Sequence, residues 1–327
     1  MHYGNNYENA FWDGTQMTYG DGANNADPLT EIDVAGHEMS HGVTEATAGL
    51  AYTGDAGGLN EATSDIFGTA VEFSANNEPD VGDYLIGEKI DLNGNGTPLR
   101  YMDKPSKDGS TPDCWSTNTK NLDPHYSSGV GNHWFYLASE GSGAKTINGV
   151  AYNSPTCNGS TVTGIGRAAA EKIWYRALTT YMTSTTTYTQ ARDASIRAAT
   201  DLYGASSTQC TGVQTAWTAL SVPAGSYSCS GSGGGTDPTP PTTGNLLANP
   251  GFESGATSLD RYLRTHHQQH RSPRAHRLLA CGSAATARPR PRTSRRPSPS
   301  PPPPPPRPCR SGCAPTPPRA AAPPTTP

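Results

Sequence analysis

The 327-residue chain has no stretch of about 18 apolar residues, the minimum for a helix that spans a bilayer, so a membrane-spanning helix is excluded. Basic residues are scarce where a core could form. Residues 1–260 hold 11 Lys and Arg against all 28 acids, a body that would repel nucleic acid instead of neutralising its phosphates. After residue 260 the deficit reverses: 13 Arg occur with no acid, no Trp and no Phe, so that stretch cannot bury a core and sets no fold. The opening Met1-His2-Tyr3-Gly4 lacks the cationic and apolar regions of a signal peptide.

What is present points outside the cell. The body is rich in Thr, Ser, Asn and Gly, and carries four cysteines, Cys114, Cys157, Cys210 and Cys229. Their order suggests the pairs Cys114–Cys157 and Cys210–Cys229, with four free thiols as the alternative. Two short strands are expected at 9–12 and 16–19 around Asp13-Gly14. Helical periodicity follows over 31–46 (Ile32, Ala35, Met39, Val43) and 60–74 (Ala62, Ile66, Ala70, Phe73), with further helices near 127–140, 164–183, 189–203 and 211–220. The expected fold is therefore mainly α. Residues 230–244 read as a Gly/Thr/Pro linker. Residues 245–258, Asn-Leu-Leu-Ala-Asn-Pro-Gly-Phe-Glu onward, resemble the first strand of a β-sandwich accessory module that would bind a polysaccharide or a surface. From 259 to 327 Arg, Pro and Ala take over, the composition of GC-rich DNA read out of frame, and this tail is expected to be a frameshifted translation.

The chemistry-bearing segment is His37-Glu38-Met39-Ser40-His41. At 100° per residue His37 and His41 share one helix face, so two imidazoles can converge on one metal with Glu38 beside them to act on a water. Three fixed positions are a weak signal alone, and a polar surface edge is the plain reading of such a His pair. Catalytic Zn²⁺ needs a third protein ligand, and Gly58-Leu59-Asn60-Glu61-Ala62-Thr63-Ser64-Asp65 offers Glu61 on the next helix with Asp65 one turn on, placed to orient a ligand histidine. A second group of acids, Glu72, Glu78, Asp80, Asp83 and Glu88, crowds 17 residues with no Lys or Arg between them, a self-repelling set that hard cations would relieve.

Over residues 2–222 these motifs resemble the thermolysin-like neutral zinc metalloproteases, peptidase family M4, in their secreted actinobacterial form. The resemblance implies the helical C-terminal lobe of a two-lobe fold at 31–229, with 1–30 the hairpin remnant of an N-terminal β lobe. It implies zinc ligands His37, His41 and Glu61, general base Glu38, and Asp65 and Asn60 holding the ligands. Tyr52 and His125 would stabilise the oxyanion. Asn9 and Ala10 would align substrate backbone, Arg100 would bind its carbonyl, and Val34 and Leu99 would wall the pocket for a bulky apolar residue after the cut bond. Structural Ca²⁺ would sit among Asp33, Glu72, Asp80, Asp83 and Glu88, with Glu78 where an Asn is common. The implied protein is a monomeric extracellular endopeptidase acting on polypeptides. Family members begin with an export signal, a propeptide and a β-rich lobe that this text lacks, so the chain is expected to be N-terminally truncated. Two readings follow: a zinc endopeptidase hydrolysing peptide bonds, or an inactive remnant that serves as a metal-binding or surface-binding module.

Overall fold

A computed structural model describes residues 2–229; the linker, accessory-module and tail expectations for 230–327 lie outside the described residues. The chain opens with an antiparallel hairpin, β1 (Ala10–Trp12) and β2 (Met17–Tyr19), whose register sets Phe11 opposite Thr18. Helices α1 (Ile32–Ala46) and α2 (Gly54–Ala75) follow, with the small hairpin β3 (Leu85–Ile86) and β4 (Arg100–Tyr101) after them. Then come α3 (Pro124–Ser127), α4 (Gly129–Glu140), the hairpin β5 (Gly143–Ile147) and β6 (Val150–Ser154), and α5 (Arg167–Thr180), α6 (Tyr188–Tyr203) and α7 (Thr208–Ala219). The described body is mainly helical, as expected.

Helices α5 and α7 shift by up to three residues at their ends from the expected bounds, and three larger differences from the periodicity stand out. Helix α2 begins six residues early, through Gly54-Asp55-Ala56-Gly57-Gly58, because those glycines are needed for contact: a Cβ on Gly58 would meet the Ser127 side chain at 2.4 Å. The expected 127–140 helix is two, since Asp123 caps a short turn that starts at Pro124. The β5–β6 hairpin was not anticipated, although Asn148-Gly149 is a strong hairpin signal; both residues take positive φ, 46° and 89°, as a type I′ turn requires.

The core lies among α2, α4, α5, α6 and α7. Trp134, Trp174 and Trp217 are fully buried, with Trp134 centred 5.0 Å from Trp174 and 4.8 Å from Trp217. Disulfides Cys114–Cys157 and Cys210–Cys229 are formed, the pairing that order suggested. Among the described residues no helix is long and apolar enough to cross a membrane. Helices α1 and α2 run antiparallel in close contact: a Cβ on Gly68 would stand 2.4 Å from the Asp33 carbonyl oxygen, so only glycine permits this approach.

Candidate metal centre

The inward face of α1 is polar. Asp33, His37, Glu38, Ser40 and Thr44 are buried there, and α2 answers with buried Glu61, Thr63, Ser64 and Asp65. Most of these groups have hydrogen-bond partners, as burial demands, but Thr44 Oγ1, Ser64 Oγ and Glu61 Oε2 do not. The His37 Nδ1–H donates to Asp65 Oδ1 at 2.7 Å, since a carboxylate only accepts. Asn60 donates by Nδ2 to the Leu50 carbonyl, so its Oδ1 accepts from His41 Nδ1 at 2.8 Å. Both histidines thus turn Nε2 inward, 3.1 Å apart, with Glu61 Oε2 3.4 Å from His37 Nε2 and Glu61 Oε1 3.5 Å from His41 Nε2.

Two imidazole lone pairs and a carboxylate converging in this way require a positive charge between them. Glu61 Oε2 is buried without a hydrogen-bond partner, and the three donors lie within 4.8 Å of one another. The electrostatics say the same. Burial alone would lower His37, but Asp65 and Glu61 push it up to about 10. Burial would raise Glu61, yet the surrounding histidines hold it at about 2. Burial and His37 keep His41 below its ordinary value. A divalent ion would meet that demand with the N,N,O ligand set typical of catalytic zinc, so the residues present fit the group.

Asp65 is the hub behind the histidines. Arg100, delivered by β4, donates from Nε to Oδ2 at 2.8 Å and from Nη2 to Oδ1 at 2.6 Å, and Asn132 Nδ2 adds a bond to Oδ2 at 2.7 Å. Against the cost of burial, Arg100 and His37 hold the Asp65 carboxyl well below the usual carboxylate range. Glu38 is 7% exposed, and burial is the main cause that raises its pKa.

A cleft of about 680 Å³ runs past these groups. Ala10 of β1 and Asn9 just before it line one side, and Val34, Leu99, Leu29 and Ile86 form an apolar wall that Arg100 borders. The Tyr52 hydroxyl donates to Glu61 and lies 3.2 Å from His125 Nε2. The structure therefore gathers every residue expected at the zinc site and cleft. It adds Asp123, which accepts from the His125 Nδ1–H at 2.8 Å and backbone N–H at 3.0 Å; the Asp-Pro helix start was its readable signal.

The acidic cluster is rearranged. Asp33 accepts backbone N–H groups of Val34 and Gly87, Asp83 that of Leu85, and Glu72 that of Asp83. Asp80 and Glu88 converge with Glu31, which the sequence reading missed, while Glu78 is exposed. Burial first, then neighbouring carboxylates, push Glu31 up to about 9 and Glu88 to about 8, while burial lifts Asp83 to about 6 against the Leu85 N–H and Lys89, which lower it. Glu72 reaches about 9 through burial and its acidic neighbours, though the Asp83 N–H opposes the shift. Asp33 reaches about 6, burial outweighing its two backbone N–H donors. Of these, Glu31, Asp80 and Glu88 bring one oxygen each within 4.8 Å of the others, close enough to hold a metal ion.

Comparison with known proteins gives the same picture. The family description "Thermolysin metallopeptidase, alpha-helical domain" matches residues 48–222, and "Thermolysin metallopeptidase, catalytic domain" matches residues 1–45. A transglutaminase-activating metalloprotease of Streptomyces mobaraensis is 62% identical over 224 residues, covering 68% of this chain and 29% of that protein. Thermolysin of Alicyclobacillus acidocaldarius subsp. acidocaldarius is 46% identical over 229 residues, covering 68% and 39%. The solved structure of the precursor of protealysin, a metalloproteinase from Serratia proteamaculans, superposes with a TM-score of 0.52 at 31% identity, covering 68% of this chain and 67% of that one. The chain spans about a third of the length of the two relatives compared by sequence.

Proposed function

The chain belongs to the thermolysin metallopeptidase family, and from that premise we propose that it carries the catalytic helices of an extracellular zinc endopeptidase. The observation that carries the reading is the convergence of His37 Nε2, His41 Nε2 and the unpartnered Glu61 Oε2, each ligand held from behind by Asp65, Asn60 or Tyr52. Zinc bound by these three side chains supplies Lewis acidity toward water and the peptide carbonyl.

The remaining work belongs to the chain's own groups. Glu38, with its pKa raised by burial, is matched to accept a proton from the attacking water and return it to the leaving amine. On substrate binding the Tyr52 hydroxyl would turn from Glu61 to the oxyanion, beside His125 Nε2, with Asp123 fixing the ring of His125. The β1 edge at Asn9 and Ala10 lines the cleft where an extended substrate backbone would pair, and the Val34–Leu99 wall favours a bulky apolar side chain after the cut bond. Arg100, two of whose nitrogens serve Asp65, borders that wall and offers the carbonyl contact from its remaining face. Ca²⁺ among Asp33, Glu72, Asp80, Asp83 and Glu88 would brace the ends of α1 and α2. Export fits the two disulfides, and the working unit is read as a monomer that acts on polypeptides.

The test is to purify the chain with zinc and compare Glu38→Gln and His41→Ala. Elemental analysis should find about one zinc per chain in the parent and in Glu38→Gln, and much less in His41→Ala. Hydrolysis of peptides with Leu or Phe after the cut bond should fall by about 10²–10⁴ in Glu38→Gln. A parent that binds zinc but cleaves none of these peptides would favour the inactive metal-binding module.

A further inference from the structure

Three carboxylates line the cleft, and two of them, Glu38 and Glu61, serve the metal centre. The third is Glu45, one turn beyond His41 on α1 and exposed. Its Oε2 accepts the Trp12 indole N–H at 2.7 Å, and among the described residues no Lys, Arg or His pairs with the carboxylate. Oε1 is therefore open to a further donor. The Trp12 ring lies against Gly42, where an added Cβ would stand 3.3 Å from it, so a larger residue there would crowd the ring that aims the carboxylate.

The place of Glu45 along the cleft follows from the course of α1 and β1. Ala10 pairs with Tyr19, whose hydroxyl lies 3.5 Å from the Ala35 carbonyl, whereas Trp12 lies on Gly42, so β1 runs beside α1 in the same direction. Val34, in the wall read as holding the residue after the cut bond, precedes the histidine pair on α1, and Glu45 follows it. A substrate with its downstream residue on Val34 thus carries its upstream residues toward Glu45. From the middle of the His37–His41 pair to Glu45 is about six helical residues, or roughly 9 Å, which an extended peptide covers in about two to three residues.

A fixed carboxylate with an open oxygen, in a cleft whose guanidinium is already bound to Asp65, favours a cation over a neutral or anionic side chain. We propose that Glu45 is a specificity-determining residue that selects Lys or Arg two residues before the cut bond, its carboxylate pairing with the substrate's ammonium or guanidinium. The proposal rests on the endopeptidase reading and adds to it a choice of charge on the side of the cut that the apolar wall does not touch.

The experiment compares the zinc-loaded parent, Glu45→Gln and Glu45→Lys on peptides cut between Ala and Phe that differ only in the second residue before the cut: Lys, Gln or Glu. Parent kcat/KM should be about two- to fivefold higher for the Lys than for the Gln peptide, the worth of one exposed ion pair, and lower again for the Glu peptide. In Glu45→Gln the three values should converge, and in Glu45→Lys their order should invert. Raising salt from about 0.05 M to about 0.5 M should shrink the parent ratio, since exposed charges are screened. Zinc content and circular dichroism report folding. A parent that cleaves the Lys and Gln peptides alike, or a Lys preference that survives Glu45→Gln, overturns the role of Glu45 and leaves the endopeptidase reading standing. A parent that cleaves no peptide overturns that reading instead. Fluorescence anisotropy of labelled Lys and Gln peptides on the zinc-loaded parent and Glu45→Gln then decides: tighter binding of the Lys peptide that Glu45→Gln removes supports the role of Glu45, and equal or absent binding overturns it.

Discussion

Asp65 has no exposed surface and collects four hydrogen bonds, from His37, Asn132 and two nitrogens of Arg100. Replacing it by Asn leaves the Arg100 guanidinium buried without its counter-charge and frees the His37 ring. Asp65→Asn should lower unfolding free energy by about 3–5 kcal/mol, as breaking a buried ion pair does. It should also weaken zinc binding by about 10- to 100-fold. Urea titration and zinc competition against a chelating dye measure the two, and unchanged zinc affinity would remove Asp65 from the site. The sign for pH follows from its depressed pKa: the stability it contributes is complete above the unfolded carboxylate value near 4 and is lost as pH falls below that. His37 and His41 were legible in the sequence because an i, i+4 spacing puts them on one helix face, and Glu38 and Glu61 because the motifs around them resemble those of the family. Glu31 was not, since its partner Lys89 is distant in sequence and meets it only once the chain folds back, whereas Asp123, two residues before His125, was marked only by its Asp-Pro helix start.

Elements position what residues supply. The contact of α1 with α2 depends on Gly68, where a Cβ would press on backbone that has no freedom to move aside. Gly68→Ala should cost about 1–3 kcal/mol through overpacking, although alanine favours a helix more than glycine does. Because the same contact sets the distance between His37 and Glu61, zinc affinity should fall in step with stability. Thermal unfolding with zinc titration tests this; a variant more stable than the parent would show that propensity outweighs packing here. This also explains why the start of α2 was hidden from periodicity: glycines chosen for close approach look like a loop when read without their neighbours. The β5–β6 hairpin failed for a different reason, its Asn-Gly signal being present but lying between helical stretches that dominated the reading.

Over the whole molecule, two cross-links and one charge cluster set the conditions under which the body stays folded. The Cys210–Cys229 bridge closes a separation of 19 residues and Cys114–Cys157 one of 43. Chain entropy assigns them about 3 and about 4 kcal/mol. Cys229→Ala with Cys210→Ala should therefore shift the urea midpoint less than the paired Cys114→Ala and Cys157→Ala exchange, and the reverse order would count against the entropic account. The acidic cluster acts through pH. Glu31, Glu72 and Glu88 have folded pKa values raised to about 9, 9 and 8, so the folded state binds protons more tightly than the unfolded chain. Their contribution is complete below the unfolded values near 4.3 and is lost as pH rises toward 9. With a chelator present the thermal midpoint should decline across that interval, and added Ca²⁺ should flatten the decline; a midpoint insensitive to calcium at pH 8 would return the cluster to a solvated role.

The antiparallel pair of α1 and α2 meets at two separated stations along its length. Glu31 and Asp33 at the start of α1 neighbour the Glu72 end of α2, and His37 and His41 face Asp65 and Glu61 about one to three turns, or roughly 6–15 Å, farther on. Two beams riveted at one point can scissor about it, whereas a second rivet removes that freedom. An ion at the outer station would thus act on catalysis as a mechanical constraint without touching the substrate. Its loss would appear as a wider spread of angles between the two helices, and so as slower turnover at unchanged substrate affinity.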